Sequence, residues 1–203
     1  MAVRTALIIG QANAGKTLFL LNFARYLGVE RAEMTVQAAE GGTFTRPCHL
    51  ERDRPLLVGD EPHTTRCLQS LTVSLPGRKR ARVVVLTDST GLLDGIDEDR
   101  QVRLAVAQTL RALRLADAVL HVIDADRVGR QGRGAIAEVE VQIARYLPLR
   151  APYAILANKM DLPAAPRGLL TIRRVFAGRT VLPISALERT GFREVRRFVA
   201  RYV

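Results

Sequence analysis

The chain has 203 residues, of which 48% are hydrophobic and 25% are charged, so it suits a folded domain and excludes a disordered chain. No apolar run reaches the length of a transmembrane segment, the N-terminus lacks a signal-peptide layout, and two cysteines cannot form a disulfide framework, which together predict a cytoplasmic protein. The positive charges behind the net charge of +11 come almost entirely from arginine, which indicates a genome-wide bias. An anionic partner such as RNA (rRNA or the ribosome) or a membrane surface stays open.

The first predicted elements are a buried strand over residues 3–9 and a helix over 16–27, separated by a glycine-rich turn. Residues 10–17 (GQANAGKT) fit G-x-x-x-x-G-K-[ST], a loop whose backbone amides cradle nucleotide phosphates. Lys16 is expected to reach the β- and γ-phosphates, and the Thr17 hydroxyl to bind Mg²⁺. The nucleotide-binding residues predicted here are Gly10, Asn13, Ala14, Gly15, Lys16, Thr17 and Leu18.

Residues 28–64 show no long periodic pattern and contain several glycines and prolines. They are predicted to form a long loop or insertion, with short strands at 34–38 and 55–58 as its candidate elements. Loops of this length in compact domains tend to be functional or mobile.

Two strands, over residues 66–75 and 81–87, are predicted to form an antiparallel hairpin. The second strand ends at Asp88, and Gly91 follows three residues later. A carboxylate at the carboxyl end of a buried strand is where an α/β sheet places its ligand contacts.

The second half of the chain alternates between helices and strands. Helices are predicted over 97–114, 134–146, 169–176 and 192–202, and strands over 118–123, 153–157 and 181–184. This alternation predicts an α/β fold, a P-loop three-layer sandwich with a mainly parallel sheet, one antiparallel edge strand and helices on both faces. The chain is interpreted as one domain over 1–203, and no feature predicts its oligomeric state.

The base is chosen by residues 158–161 (NKMD), which fit N-K-x-D at the end of a strand. The Asp161 carboxylate is the acceptor for the N1–H and N2–H₂ donors of guanine, whereas adenine would leave it unpaired. Asn158 is expected to contact N7 and to tie the loops together, and the stem of Lys159 is expected to lie over the base. The pattern predicts GTP and GDP as ligands.

The motifs GQANAGKT, HTTR, DSTG, NKMD and SAL follow one another in this order. With them the chain resembles the Era-like (TrmE–Era–EngA) branch of the translation-factor-class P-loop GTPases over nearly its whole length. The resemblance implies a G domain that hydrolyses GTP to GDP and phosphate as a molecular switch, with 28–64 as a long switch I insertion. In the last motif, Ser185, Ala186 and Leu187 resemble the final base-binding element, in which the alanine amide meets guanine O6.

The resemblance also implies roles for four residues. Thr65 would close over Mg²⁺ and the γ-phosphate, Asp88 would hold Mg²⁺ through water, and the Gly91 amide would sense the γ-phosphate. Asn13 occupies the position at which family members bind K⁺ beside the phosphates. The predicted catalytic residues are Asn13, Lys16, Thr65 and Gly91, and the predicted metal ligands are Thr17, Thr65 and Asp88.

Several positions depart from the family pattern. Thr90 replaces the proline of D-x-P-G, Leu92 replaces the water-orienting glutamine of Ras-like enzymes, and Leu187 replaces a lysine. A slow intrinsic GTPase is therefore expected, in which K⁺ could supply the missing charge stabilisation. The alternatives are a GTP-binding scaffold with little hydrolysis and a ribosome- or RNA-associated assembly factor.

Besides Thr65, three other threonines are candidates for the metal-binding threonine of switch I, namely Thr64, Thr43 and Thr45. His121 lies mid-strand among apolar residues and is predicted to be a core or sheet-edge residue. Arg127, Arg130 and Arg133 are separated by glycines, which indicates a basic loop near the base-binding end.

Overall fold

The computed structural model describes residues 4–57, 67–75, 81–91 and 100–203. The strands in these ranges are β1 (Arg4–Ile9), β2 (Arg31–Ala38), β3 (Thr43–His49), β4 (Cys67–Leu75), β5 (Arg82–Asp88), β6 (Ala118–Asp124), β7 (Tyr153–Asn158) and β8 (Thr180–Pro183). The α-helices are α1 (Lys16–Tyr26), α2 (Arg54–Leu57), α3 (Arg100–Leu115), α4 (Ala125–Gln131), α5 (Glu138–Tyr146), α6 (Ala165–Val175) and α7 (Phe192–Tyr202). Two 3₁₀ turns cover Gly132–Ala135 and Leu147–Leu149.

The described strands form one sheet in the order β3-β2-β4-β5-β1-β6-β7-β8. The strands from β5 to β8 in this order pair in parallel, whereas β3, β2 and β4 add to β5 by antiparallel pairing. The predicted fold class, a mainly parallel sheet with an antiparallel edge, is confirmed. Because Ile8 is in register with Asp88, and Asp124 with Asn158, the carboxyl ends of β5, β1, β6 and β7 meet at one edge of the sheet.

The core lies in two layers because successive side chains of a strand point to opposite faces. In β1, Ala6 and Ile8 face the layer that holds α1 and α7, while Leu7 and Ile9 face the layer that holds α4, α5 and α6. In the first layer Phe19, Phe23 and Phe192 pack together, with ring centroids 5.2–5.5 Å apart. This aromatic cluster seats α1, the helix that follows the phosphate loop.

The segment 28–64 contains a hairpin that the sequence did not predict in full. The predicted strand 34–38 lies inside β2, but β3 was missed because its residues are mostly polar and exposed and show no alternation. Gly41 and Gly42 have φ values of 107° and 90°, which make the tight turn between the strands. Residues 34–38 of β2 also pair with β4, so the hairpin is stabilised by tertiary pairing.

The predicted strand at 55–58 is wrong, since residues 54–57 form the short helix α2. Pro55 explains the difference, because proline lacks the N–H that a strand ladder needs and is tolerated in the first turn of a helix. The remaining residues of that segment, 58–64, lie outside the described residues.

The basic loop predicted around Arg127, Arg130 and Arg133 is also wrong. Arg127 and Arg130 lie in α4, and Arg133 lies in the following 3₁₀ turn. Helix α4 begins where the Asp124 carboxylate accepts a hydrogen bond from the Arg127 amide at 2.9 Å. The glycines of this segment made a helix hard to predict from the sequence, because glycine is a poor helix former, but Gly129 has a packing role here. A Cβ at Gly129 would lie 1.9 Å from the carbonyl oxygen of Ala164, so α4 and α6 touch.

Candidate functional site

The loop between β1 and α1 has a backbone that requires glycine at two positions. Gly10 has a φ of 146°, and a Cβ there would lie 2.1 Å from the carbonyl oxygen of Val122. Gly15 has a φ of 94°, and its Cβ would lie 2.4 Å from Nδ2 of Asn158. Asn13 also takes the left-handed conformation, with a φ of 60°. The loop therefore leads directly into α1, whose first-turn amides are available to an anion.

Lys16 lies at the start of α1 with only 7% of its surface exposed. Its ammonium donates a hydrogen bond to the Gln11 carbonyl at 2.8 Å, which folds the side chain back over the loop. Burial lowers the pKa of Lys16, while the negative charges of Asp88 and Glu140 oppose that shift. The ammonium is thus held over the phosphate loop in a partly desolvated place, where its attraction to an anion is strong.

Asp88 ends β5 and is fully buried beside Lys16 and Thr17. Its Oδ2 accepts a hydrogen bond from the Thr17 hydroxyl at 2.5 Å. Burial raises the pKa of Asp88 to about 6, against the opposing effects of the Lys16 charge and the Thr17 hydrogen bond. Oδ1 is buried and has no hydrogen-bond partner among the described residues. Mg²⁺ binds oxygen ligands such as carboxylates and hydroxyls. The Asp88 carboxylate oxygen that receives no hydrogen bond, together with the neighbouring Thr17 hydroxyl, therefore fits this ion.

Gly91 lies against the phosphate loop, where a Cβ would come within 2.9 Å of the Ala12 amide nitrogen. Just before it, the buried Thr90 hydroxyl lies 3.0 Å from the Thr109 hydroxyl and donates to the Ala105 carbonyl at 3.4 Å. The threonine that replaces the family proline therefore connects this loop to α3.

Asn158 links the two ends of the site. Its Nδ2 donates to the Ala14 carbonyl at 2.8 Å, and its Oδ1 accepts from the Ala186 amide at 2.8 Å. Ala186 is connected in turn to α1, because the Asn22 side chain donates to its carbonyl at 2.7 Å. The predicted tying of the loops by Asn158 is present in the structure.

The rest of the N-K-x-D motif is arranged around the same loops. The Ser185 hydroxyl donates to the Asp161 carboxylate at 2.5 Å and accepts from the Glu188 amide at 3.0 Å. Lys159 has a φ of 67°, and its ammonium lies 2.7 Å from the Asp124 carboxylate. Asp161 is thereby held in one orientation at the carboxyl end of β7.

Comparison with known proteins identifies the family. The sequence model of the family described as "50S ribosome-binding GTPase" matches residues 49–159, more than half of the chain. This chain is a member of that GTPase family. Its resemblance to the Era-like branch is supported by relatives named MnmE and Der and by solved structures of Era.

Two curated relatives of the GTPase show how far the similarity extends. It is 30% identical over 204 residues to the tRNA modification GTPase MnmE of Roseiflexus sp. (strain RS-1), covering 97% of this chain and 35% of that protein. It is also 30% identical over 169 residues to GTPase Obg of Opitutus terrae, covering 80% of this chain and 47% of that protein. The chain thus spans less than half the length of either relative.

Solved structures agree on the fold. An Era variant from Aquifex aeolicus bound to GDP·AlF₄⁻ matches with a TM-score of 0.69 at 22% identity, over 100% of this chain and 57% of that one. A structure of Era with MgGDPNP and nucleotides 1506–1542 of 16S ribosomal RNA matches with a TM-score of 0.66 at 21% identity, over 100% of this chain and 57% of that one. Within the described ranges of the GTPase, no helix is long and apolar enough to cross a membrane. The cytoplasmic location stays a prediction.

The structure brings most of the predicted site residues of the GTPase together. One end of the site is formed by the residues of the phosphate loop together with Asp88 and Gly91. The other end is formed by the N-K-x-D residues together with Ser185 and Ala186. Leu187 follows this second group and is exposed. The Ala186 amide, predicted to meet guanine O6, donates to Asn158 instead, so an O6 contact would have to share or replace that hydrogen bond.

The switch I threonines divide into two groups. Thr43 and Thr45 lie on the exposed edge strand β3, and β2, β4 and β5 separate them from β1, which argues against either as a metal ligand. Thr64 and Thr65 lie outside the described residues, as does Leu92, and their roles stay predictions.

Sequence reasoning missed two polar residues at the site. Glu140 accepts a hydrogen bond from the Gln11 side chain, and Asp124 pairs with Lys159. Asp124 could have been found, because it ends a buried strand as Asp88 does. Glu140 could not, because on α5 it looks like an ordinary acidic residue in the first turn of a helix.

Proposed function

We propose that this chain is a single G domain that binds GTP and GDP and hydrolyses GTP to GDP and phosphate as a molecular switch. The observation that carries the proposal is the double hydrogen bond of Asn158, which joins the phosphate loop to the base-binding loop. A ligand with a base at one end and phosphates at the other fits such a paired site. Residues 28–64 would be the switch I insertion of this domain.

Guanine selectivity would come from Asp161. Its orientation is supported by the Ser185 hydroxyl, which occupies one carboxylate oxygen but leaves acceptor capacity for two further donors. Guanine offers two donors on one edge, and adenine has no equivalent pair. The Lys159 ammonium would stay on Asp124 while its stem covers the base.

At the phosphate end, Lys16 would exchange its hydrogen bond with Gln11 for the β- and γ-phosphates. Thr17 and Asp88 would hold Mg²⁺, in agreement with the general dependence of this family on that ion. When bound, Mg²⁺ would neutralise charge that develops on the phosphates. The Gly91 amide would approach the γ-phosphate, since Gly91 already lies against the loop at Ala12.

K⁺ is proposed as a second ion beside Asn13, which has a left-handed backbone (φ 60°) within the phosphate loop. An ion there would supply positive charge beside the phosphates, where charge develops during hydrolysis. This part of the proposal rests on the resemblance to the Era-like branch.

An RNA partner is supported by the net charge of +11 and by the solved complex of Era with nucleotides 1506–1542 of 16S ribosomal RNA. On α7 the polar face carries four exposed arginines, Arg193, Arg196, Arg197 and Arg201. Such a face suits the phosphate backbone of RNA, and affinity would fall steeply with salt concentration. A salt dependence no steeper than that of a size-matched basic protein would remove RNA as a partner.

The experiment that tests the function is GTP turnover in KCl and separately in NaCl, with Asp161→Asn and Asn13→Ala as variants. We expect turnover that is higher in KCl, that loses its K⁺ dependence in Asn13→Ala, and that shifts from GTP to xanthosine triphosphate in Asp161→Asn. The shift is expected because an asparagine amide can donate to the additional carbonyl of xanthine. Binding that depends on Asp161 without turnover in either salt would indicate a GTP-binding scaffold.

A further inference from the structure

A chain of buried polar side chains runs from the phosphate loop through the core. The Gln11 side chain donates to Glu140 Oε2 at 2.6 Å, Glu140 Oε1 lies 3.0 Å from His121 Nε2, and His121 Nδ1 lies 2.5 Å from the Tyr153 hydroxyl. Glu140 is 1% exposed, and His121 is fully buried on β6. We call these four residues the Gln11–Tyr153 chain.

The Gln11 amide is saturated with partners from three different elements. Besides Glu140, its Nε2 donates to the Ala135 carbonyl at 3.1 Å, and its Oε1 accepts from the Arg127 guanidinium at 2.9 Å. Two acceptors face the amide nitrogen and one donor faces the oxygen, so a single orientation satisfies them all. At the same residue, the backbone carbonyl accepts the hydrogen bond of Lys16 at 2.8 Å. The side chain of Gln11 is therefore fixed at the point where the phosphate lysine is held.

Glu140 is the hub of this arrangement. In addition to Gln11 and His121, it accepts a hydrogen bond from the Ala137 amide at 2.9 Å, so its two oxygens have three donors. Burial by itself raises the pKa of Glu140, but the hydrogen bonds and charge of His121, with those of Gln11 and Ala137, outweigh it and lower the pKa overall. Glu140 is thus held as a carboxylate inside the protein.

Glu140 is buried, and its sequence neighbours Ile136, Val141 and Ala144 belong to the hydrophobic core. Apolar residues of similar size could stabilise such a position as well or better. Burying a charged group costs desolvation free energy. The best-attested role for such a group is to select one geometry among several that the protein could adopt. Here the geometry that they set is that of the phosphate loop, because Gln11 belongs to the loop and the other members belong to the sheet and α5.

We propose that Glu140 is a positioning residue for the nucleotide phosphates, acting through the side chain of Gln11 on the loop that holds Lys16. The inference rests on the proposed function, since it concerns the affinity of that same site. The hydrogen bonds of Glu140 go to Gln11, His121 and the Ala137 amide, so its effect on the phosphates would pass through Gln11.

The test measures the dissociation constant of GDP, with Mg²⁺ present, for Gln11→Ala, Glu140→Ala and the double variant. Each single variant is expected to weaken GDP about tenfold, as for loss of about 1.4 kcal/mol, and the double variant is expected to be no weaker than Glu140→Ala. The preference for GDP over inosine diphosphate should not change, because the base is read at Asp161.

Two further variants separate positioning from general stability. Glu140→Gln keeps an oxygen for Gln11 and Ala137 and can donate to His121 Nε2 in its other tautomer, so GDP affinity should stay within about threefold of the parent. Tyr153→Phe breaks the far end of the Gln11–Tyr153 chain and leaves Gln11 untouched, so it should lower the melting temperature without weakening GDP.

The inference is overturned if the parent protein binds GDP through Asp161 and Gln11→Ala binds it equally well. It is also overturned if the losses in the two single variants add in the double variant, or if Glu140→Gln is as weak as Glu140→Ala. Should Glu140→Ala not fold, Gln11→Ala carries the test, because Gln11 lies in a partly exposed loop. Failure of the parent to bind GDP at all would instead refute the proposed function.

Discussion

Replacing Asn158 by alanine tests the bridge between the two halves of the site. The change removes two hydrogen bonds of 2.8 Å and leaves the Ala14 carbonyl and the Ala186 amide, both buried, without these partners. Each buried unsatisfied group costs about 1–3 kcal/mol, and water that enters the truncated site offsets a part of this. We expect the free energy of unfolding to fall by about 2–4 kcal/mol.

For a domain of this size, 1 kcal/mol corresponds to about 2–4 °C in melting temperature, so Asn158→Ala should melt about 5–15 °C lower. Urea unfolding would give the free energy, and the same titration with saturating GDP would report the effect on the ligand. The added stabilisation by GDP should shrink in the variant, because both loops that contact the nucleotide lose their shared anchor.

Asn22→Ala is the matched control. Asn22 is a fully buried asparagine that donates to the carbonyl of the same Ala186, but it does not reach the phosphate loop. It should lower the stability and leave the stabilisation by GDP nearly intact. A loss below about 1 kcal/mol in Asn158→Ala, or an equal loss of GDP stabilisation in both variants, would refute the bridging role.

Three further predictions concern other contacts of the described structure. Burial raises the pKa of Asp88 from 3.8 to about 6, so the folded state binds this proton more tightly than the unfolded state. As the pH rises from about 4 through about 6, the ionised carboxylate therefore destabilises the folded state increasingly. In EDTA without nucleotide, the stability of Asp88→Asn relative to the parent should therefore increase by about 1.5 kcal/mol between pH 5 and pH 8, and a constant difference in chemical denaturation would contradict this. Thr90→Val should lower the free energy of unfolding by about 1 kcal/mol, because it breaks the hydroxyl contact with Thr109, and urea titrations that superimpose would show that the contact contributes nothing. Gly168→Ala should lower the melting temperature by several degrees, because a Cβ there lies 1.7 Å from the Ala125 carbonyl oxygen, and an unchanged melting curve would mean that α4 and α6 can separate freely.

Local sequence patterns were enough to predict those elements whose structure depends on residues close together in the sequence. The apolar run of β1, the glycines of the phosphate loop and the helix after them were predicted within a residue or two, because each is encoded by contiguous residues. Helix α7 was predicted with its observed bounds, Phe192–Tyr202, since Gly191 with a φ of 75° precedes it and its apolar residues recur at helical spacing. The residues of the candidate site were found in the same way, as motifs at the ends of predicted strands.

The features that only the tertiary structure decided depend on contacts between residues far apart in the sequence. The polar strand β3 exists because β2 pairs with β4, and α4 is a helix although Gly129 weakens its local preference, because glycine lets it touch α6. Glu140 becomes part of the site only through Gln11, 129 residues earlier in the chain. The sequence by itself predicted which side chains would carry the chemistry, since motifs are local. The positions of the polar groups that support them follow from packing, because a buried hydrogen bond needs its partner at one distance and one angle that periodicity does not encode.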